Sequence, residues 1–128
     1  MTREQLIENL EREGWAEGTV LVWRRARYKC EYCDKDLMVC AGDYFHVAQL
    51  DHVVPGVADS LNNFALACIA CNRIKRQRIF STEPVAREET IRLARIYIQG
   101  IRERDRLRME RSRDLMLMLD QLEVAPQI

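Results

Sequence analysis

Apolar positions recur three and four residues apart at both ends of this chain and alternate more tightly in the middle, a pattern that predicts helices around a short β core. From Thr2 to Arg12, Leu6, Ile7 and Leu10 share one side of a helix that Thr2 would cap and Gly14 would stop. Gly18 and Thr19 open a second helix to about Ala26, with Val20, Leu21, Trp23 and Tyr28 as its apolar contacts. These aromatics read as core, not as a platform for a ligand. Val47 and Leu50 lead through Asp51 and His52 to Val53 and Val54, a strand that Pro55 and Gly56 would end. A polar loop follows, then a second strand over Phe64-Ala65-Leu66-Ala67 and a helix starting near Cys71-Asn72-Arg73-Ile74-Lys75-Arg76. The unit is strand, loop, strand, helix, and the class is α+β.

Beyond Arg78 the composition shifts. Ile79 to Ala86 reads as a connector, with Ser81 or Thr82 ahead of Glu83-Pro84 as the helix-start signal. From there to about Glu123 nearly every residue favours helix, and the one glycine is Gly100. A continuous helix would run roughly 60 Å at about 1.5 Å per residue, so either a break near Gly100 or within 102–113 is expected, or the helix projects. Ile91, Ala94, Ile98 and Ile101 form one apolar stripe, and Leu115, Met118, Leu119 and Leu122 a second. Folding back on the core and pairing with a second chain or another protein are both open for these stripes.

At 128 residues with 48% hydrophobic content, the chain suits one domain, with helices over 1–27, the core over 28–80 and a helical extension over 81–128. No run approaches the length of a membrane span, and the acidic, polar start does not read as a secretory signal, so a cytoplasmic location is expected. The formal net charge is zero, which excludes a global basic field. The distribution is uneven: residues 1–20 carry two basic and five acidic side chains, residues 21–80 nine and six, and residues 81–128 nine of each. The positive excess gathers in Arg24, Arg25, Arg27 and Lys29 and in Arg73, Lys75, Arg76 and Arg78.

Four of the five cysteines form two Cys-x-x-Cys pairs, Cys30/Cys33 and Cys68/Cys71. In a reducing compartment this pattern fits metal better than disulfides, and four soft thiolates suit a structural, tetrahedral zinc. The 34 residues between the pairs exceed a compact zinc ribbon, so the segment bearing Asp51 and His52 is an insert tied at both ends by the metal. Cys40 and His46 lack such company and read as structural residues.

Taken together, Cys30-x-x-Cys33, Asp51-His52, Asn63 ahead of Cys68, and Cys71-Asn72-Arg73-x-Lys75 resemble the HNH endonucleases, the ββα-metal or His-Me finger nucleases, in their zinc-bearing form. The resemblance spans about residues 24 to 78. It implies two antiparallel strands and a helix clasping one catalytic divalent cation, Mg2+ or Mn2+. It further implies His52 as general base, Asp51 as metal ligand and Asn63 as the residue holding the loop that orients His52, with the adjacent Asn62 as the alternative. Asn72 stands where the family often has a second histidine, so this is an H-N-N variant whose amide oxygen can ligate a hard cation. Arg73, Lys75, Arg76 and Arg78 would hold backbone phosphates. The implied activity is phosphodiester hydrolysis, with double-stranded DNA as the expected substrate. The alternative is a zinc-stabilised module that binds nucleic acid or protein without turnover.

Overall fold

The computed structural model describes residues 1–57, 59–81 and 83–123. Helix α1 (Arg3–Arg12) begins at a complete capping box, in which the Thr2 hydroxyl accepts from the Gln5 amide and the Gln5 side chain accepts from the Thr2 amide. Gly14, at φ +94°, turns the chain out of it. Helix α2 (Glu17–Arg25) starts one residue before the expected glycine and buries Val20, Val22 and Trp23. Leu21 and Tyr28, expected among its core contacts, are exposed instead, and Val22 takes the buried position. Trp15, Trp23 and Tyr44 meet with each pair of ring centroids 5.2 Å apart. Such pairs contribute about 0.5–1.5 kcal/mol each beyond burial, and they hold α2 against a π-helical turn at Asp43–Val47.

That turn delivers the chain into β1 (Ala48–His52), which pairs antiparallel with β2 (Phe64–Cys68) in the register Ala48↔Cys68 to His52↔Phe64. The first strand ends two residues short of the expected Val54. Val53 donates to the Asn63 carbonyl and Val54 to the Asn63 side chain, so both amides leave the ladder. Helix α3 (Ile69–Lys75) begins earlier than expected, with the Cys68 thiol as its cap, accepting from the Cys71 amide. One face of β1 meets α3 twice. Gln49 accepts from the Asn72 amide at 2.6 Å and Asp51 pairs with Lys75 at 3.0 Å. Positions two apart on a strand thus match positions three apart on a helix, and the opposing Ala65 and Ala67 are small and fully buried.

Helix α4 (Arg87–Leu122) is continuous over 36 residues, about 54 Å at 1.5 Å per residue. No break occurs at Gly100 or in the arginine-rich stretch, because glycine weakens a helix without forbidding it. Its start is Arg87, with Ala86 as an uncapped N-cap, later than Ser81 would signal. Ser81 instead closes a turn onto Glu83, and the alternative Thr82 lies outside the described residues. The first stripe folds onto the core through Ala94 and Ile98, both fully buried. The second does not: Leu115, Met118, Leu119 and Leu122 are all more than half exposed. The helix therefore projects. Among the described residues, no helix is long and apolar enough to cross a membrane.

Candidate active site and zinc centre

The Cys30–Cys33 turn is closed by Asp34 donating its amide to the Cys30 carbonyl and by Cys30 donating to the Lys35 carbonyl. Asp34 takes a positive φ of 64° there, a conformation that Asp tolerates better than most residues. The Cys30, Cys33, Cys68 and Cys71 sulfurs all lie within 4.8 Å of one another, and Cys33 and Cys68 are 3.8 Å apart. A tetrahedral zinc about 2.3 Å from each sulfur sets them about 3.8 Å apart, so the four thiols fit the ion. Hydrogen bonds from Cys30 pull Cys33 down to about 6 and hold Cys68 far below its ordinary value, while Cys30 and Cys71 are pushed up. Thiols gathered this closely release protons when a cation enters, so binding of the metal is coupled to their deprotonation. The α4 face closes it from outside. Arg95 donates to the Glu31 carbonyl and pairs with Asp34, Gln99 donates to the Tyr32 carbonyl, and Arg102 donates to Cys71 Sγ at 3.2 Å.

The same turn reaches the second centre. Tyr32 is fully buried, and its hydroxyl donates to Asp51 Oδ2 at 2.6 Å. Lys75 Nζ sits 3.0 Å from that same oxygen and donates to the His52 carbonyl at 2.9 Å. Lys75 is 1% exposed, so the expectation that it holds phosphates does not fit its position. Its ammonium answers a buried carboxylate, the pairing that makes a buried charge tolerable. Asp51 Oδ1 makes no hydrogen bond among the described residues, and Asp51 lines the neighbouring cleft.

That cleft, about 500 Å³, brings together Asp51, His52, Asn72 and Arg76, with the Pro55-Gly56-Val57 turn as one wall. His52 is partly exposed; its Nε2 lies 2.7 Å from Asp59 Oδ1, and its ring lies 4.9 Å from that of Phe64. Asn72 points its Nδ2 at Gln49, which turns its carbonyl oxygen away from that partner. Arg73, Arg76 and Arg78 are exposed, and Arg78 stacks over the Tyr97 ring at 4.2 Å.

Behind the cleft, Asn63 clasps the loop. Its Oδ1 accepts from the Val54 amide at 2.9 Å and its Nδ2 donates to the Val54 carbonyl at 3.1 Å. Among the described residues, Asn62 gives only its backbone carbonyl, to Arg87. Arg25, placed by sequence in a basic patch, donates to the Leu61 and Phe64 carbonyls, and Arg87 donates to Phe64 and pairs with Glu31. Two flanking helices thus pin the turn that carries Asn63. Sequence reasoning missed Tyr32, Asp59, Arg25 and Arg87 as site residues. Only the Tyr inside Cys-x-x-Cys carried a local signal. Cys40 and His46 are exposed and lie away from both centres.

Residues 30–78 match the family model of the HNH endonuclease. Comparison with curated proteins and with solved structures gives no match. The matched stretch begins at the first zinc-type cysteine, takes in both strands and α3, and ends just past the buried lysine, which is the unit that the geometry isolates. Over residues 30–78 this chain is therefore similar to the HNH endonucleases.

Proposed function

We propose that this chain is a metal-dependent endonuclease acting on DNA, and the observation that carries the proposal is the convergence of Asp51, His52 and Asn72 on one cleft from a strand and a helix. Asp59 accepts from His52 Nε2, which leaves Nδ1 as the basic nitrogen able to take a proton from water. The Asp59 carboxylate then stabilises the imidazolium that forms. Asn63 holds the loop between Asp59 and β1, and so holds the ring.

The donors fit a hard cation: one carboxylate oxygen of Asp51 and one amide oxygen of Asn72, with room for the waters that Mg2+ or Mn2+ keeps. Such an ion supplies polarisation of a phosphoryl oxygen and stabilisation of charge on the leaving oxygen. Tyr32 and Lys75 occupy Oδ2, and Oδ1 has no donor among the described residues. Because Lys75 already neutralises Asp51, the pair adds no net negative charge, and the phosphate of the substrate completes the site electrostatically. Arg73, Arg76 and Arg78 position the backbone. A second chain is the partner expected at the exposed distal stripe of α4, and sedimentation at micromolar concentration tests it; a monomer fully active on duplex DNA removes that part.

Cleavage of plasmid DNA with Mg2+, with Mn2+ and with chelator is the direct test. His52→Ala is expected to lower cleavage by about 10² to 10⁴-fold while its thermal melting stays unchanged. Equal activity of the His52→Ala protein overturns the assignment. Binding of nucleic acid without cleavage under every metal would favour the zinc-stabilised binding module.

A further inference from the structure

Arg76 and Gln77, on the rim of the cleft, also line a second groove of about 550 Å³ with Arg78 and Tyr97, so the open surface continues from α3 to α4. Arg78 stacks on Tyr97 at that junction. Two, three and four helical turns beyond Tyr97 stand Arg104, Arg108 and Arg111, all exposed. At about 100° per residue they fall within about 40° of the Tyr97 direction. No Asp or Glu between Tyr97 and Ser112 comes within about 60° of that line.

The other arginines on the base of α4 are committed: Arg87, Arg95 and Arg102 to the zinc knuckle and the loop, Arg92 and Arg106 to carboxylates. Arg108 and Arg111 make no ion pair among the described residues, and Arg104 meets only its exposed neighbour Asp105 at 3.4 Å. We infer that this face of α4 is a second nucleic-acid contact, a track that carries the phosphate backbone of duplex DNA from the cleft past Arg76, Arg78 and Tyr97 and along Arg104, Arg108 and Arg111. It reaches about 21 Å beyond Tyr97. A chain of zero net charge cannot attract a polyanion by its overall field; a stripe of exposed guanidinium groups, of which only Arg104 has a carboxylate partner among the described residues, can hold it locally. The inference rests on the nucleic-acid reading of the cleft.

The test is binding of a 30-bp duplex, about three helical turns at 3.4 Å per pair, followed by fluorescence anisotropy across a salt series in a His52→Ala background. The combined Arg104→Gln, Arg108→Gln and Arg111→Gln variant is expected to weaken binding at least tenfold and to flatten the log K against log salt slope by about 2 to 3, since each phosphate contributes about 0.9. Arg106→Gln with Arg113→Gln, on the opposite face, is expected to leave the slope as it was. An unchanged slope in the triple variant, an equal loss in the control pair, or no binding by any protein overturns the track. If the chain with His52 cleaves plasmid while the triple slope is unchanged, the nuclease reading survives without the track. If it cleaves nothing while the triple slope falls, the track stands on a binding module.

Discussion

Asp51 shows how one side chain is made both stable and available. Two donors, the Tyr32 hydroxyl and the Lys75 ammonium, converge on Oδ2, and Oδ1 has no donor among the described residues. Loss of either donor leaves a buried charge less answered. Tyr32→Phe is expected to cost about 1.5–3 kcal/mol, the range for a hydrogen bond to a charged group, read as a lower urea midpoint at neutral pH. Burial, and then the Asp51 charge, push the Tyr32 phenol well above its ordinary 10.0. The unfolded chain releases that proton first, so the contribution is fully present below about pH 10 and is lost as pH rises toward the folded value. The gap between the natural chain and Tyr32→Phe should therefore narrow above about pH 10. Identical midpoints at neutral pH would show that the contact carries no stability. None of this was legible in composition, where Lys75 is one more cation beside Arg73 and Arg76. Burial separates them, and burial depends on what lies across the fold.

At the scale of elements, α4 is one helix in two environments. Its base is anchored by Ala94 and Ile98 and by the Arg95, Gln99 and Arg102 bonds to the cysteine cluster and its turn; the large apolar side chains of its distal half are exposed. Periodicity displayed both apolar stripes equally, so only packing could say which one is covered. Gly100 sits at the changeover, where an added Cβ would meet nothing within 4 Å and φ is not positive. Gly100→Ala is expected to raise helix stability by about 0.8–1 kcal/mol. Circular dichroism during heating reads this as a later loss of helical signal, and a lower melting temperature would mean that the glycine serves a bend in solution.

For the whole molecule, the knuckle is the joint. Zinc-type thiols come from the turn before β1 and from the β2–α3 junction, Tyr32 reaches from the same turn to Asp51, and α4 rests on the outside. Structural zinc sites contribute on the order of 10–16 kcal/mol of apparent folding energy, as large as the whole of the roughly 5–15 kcal/mol by which a domain is stable. Cys68→Ser, which removes a ligand and the α3 cap together, is expected to abolish cooperative melting. Elemental analysis should find zinc in the natural chain. A zinc-free protein that melts cooperatively, or a Cys68→Ser variant with unchanged melting, would contradict this.

What the sequence determined by itself was the chemistry that short range can specify. Two Cys-x-x-Cys pairs, Asp51-His52, and the helical periodicities are properties of neighbouring residues, and a thiolate pair three positions apart turns toward one ion wherever the chain takes it. Only the tertiary structure decided which charges are buried, which asparagine clasps the loop, and which carboxylate meets His52. Asp59 lies seven residues from His52 and Arg87 more than twenty from the turn that it pins. Such pairings follow from the path of the loop and the docking of helices, which arise from the summed burial of side chains like Leu66, Ala94 and Ile98 and not from any local pattern.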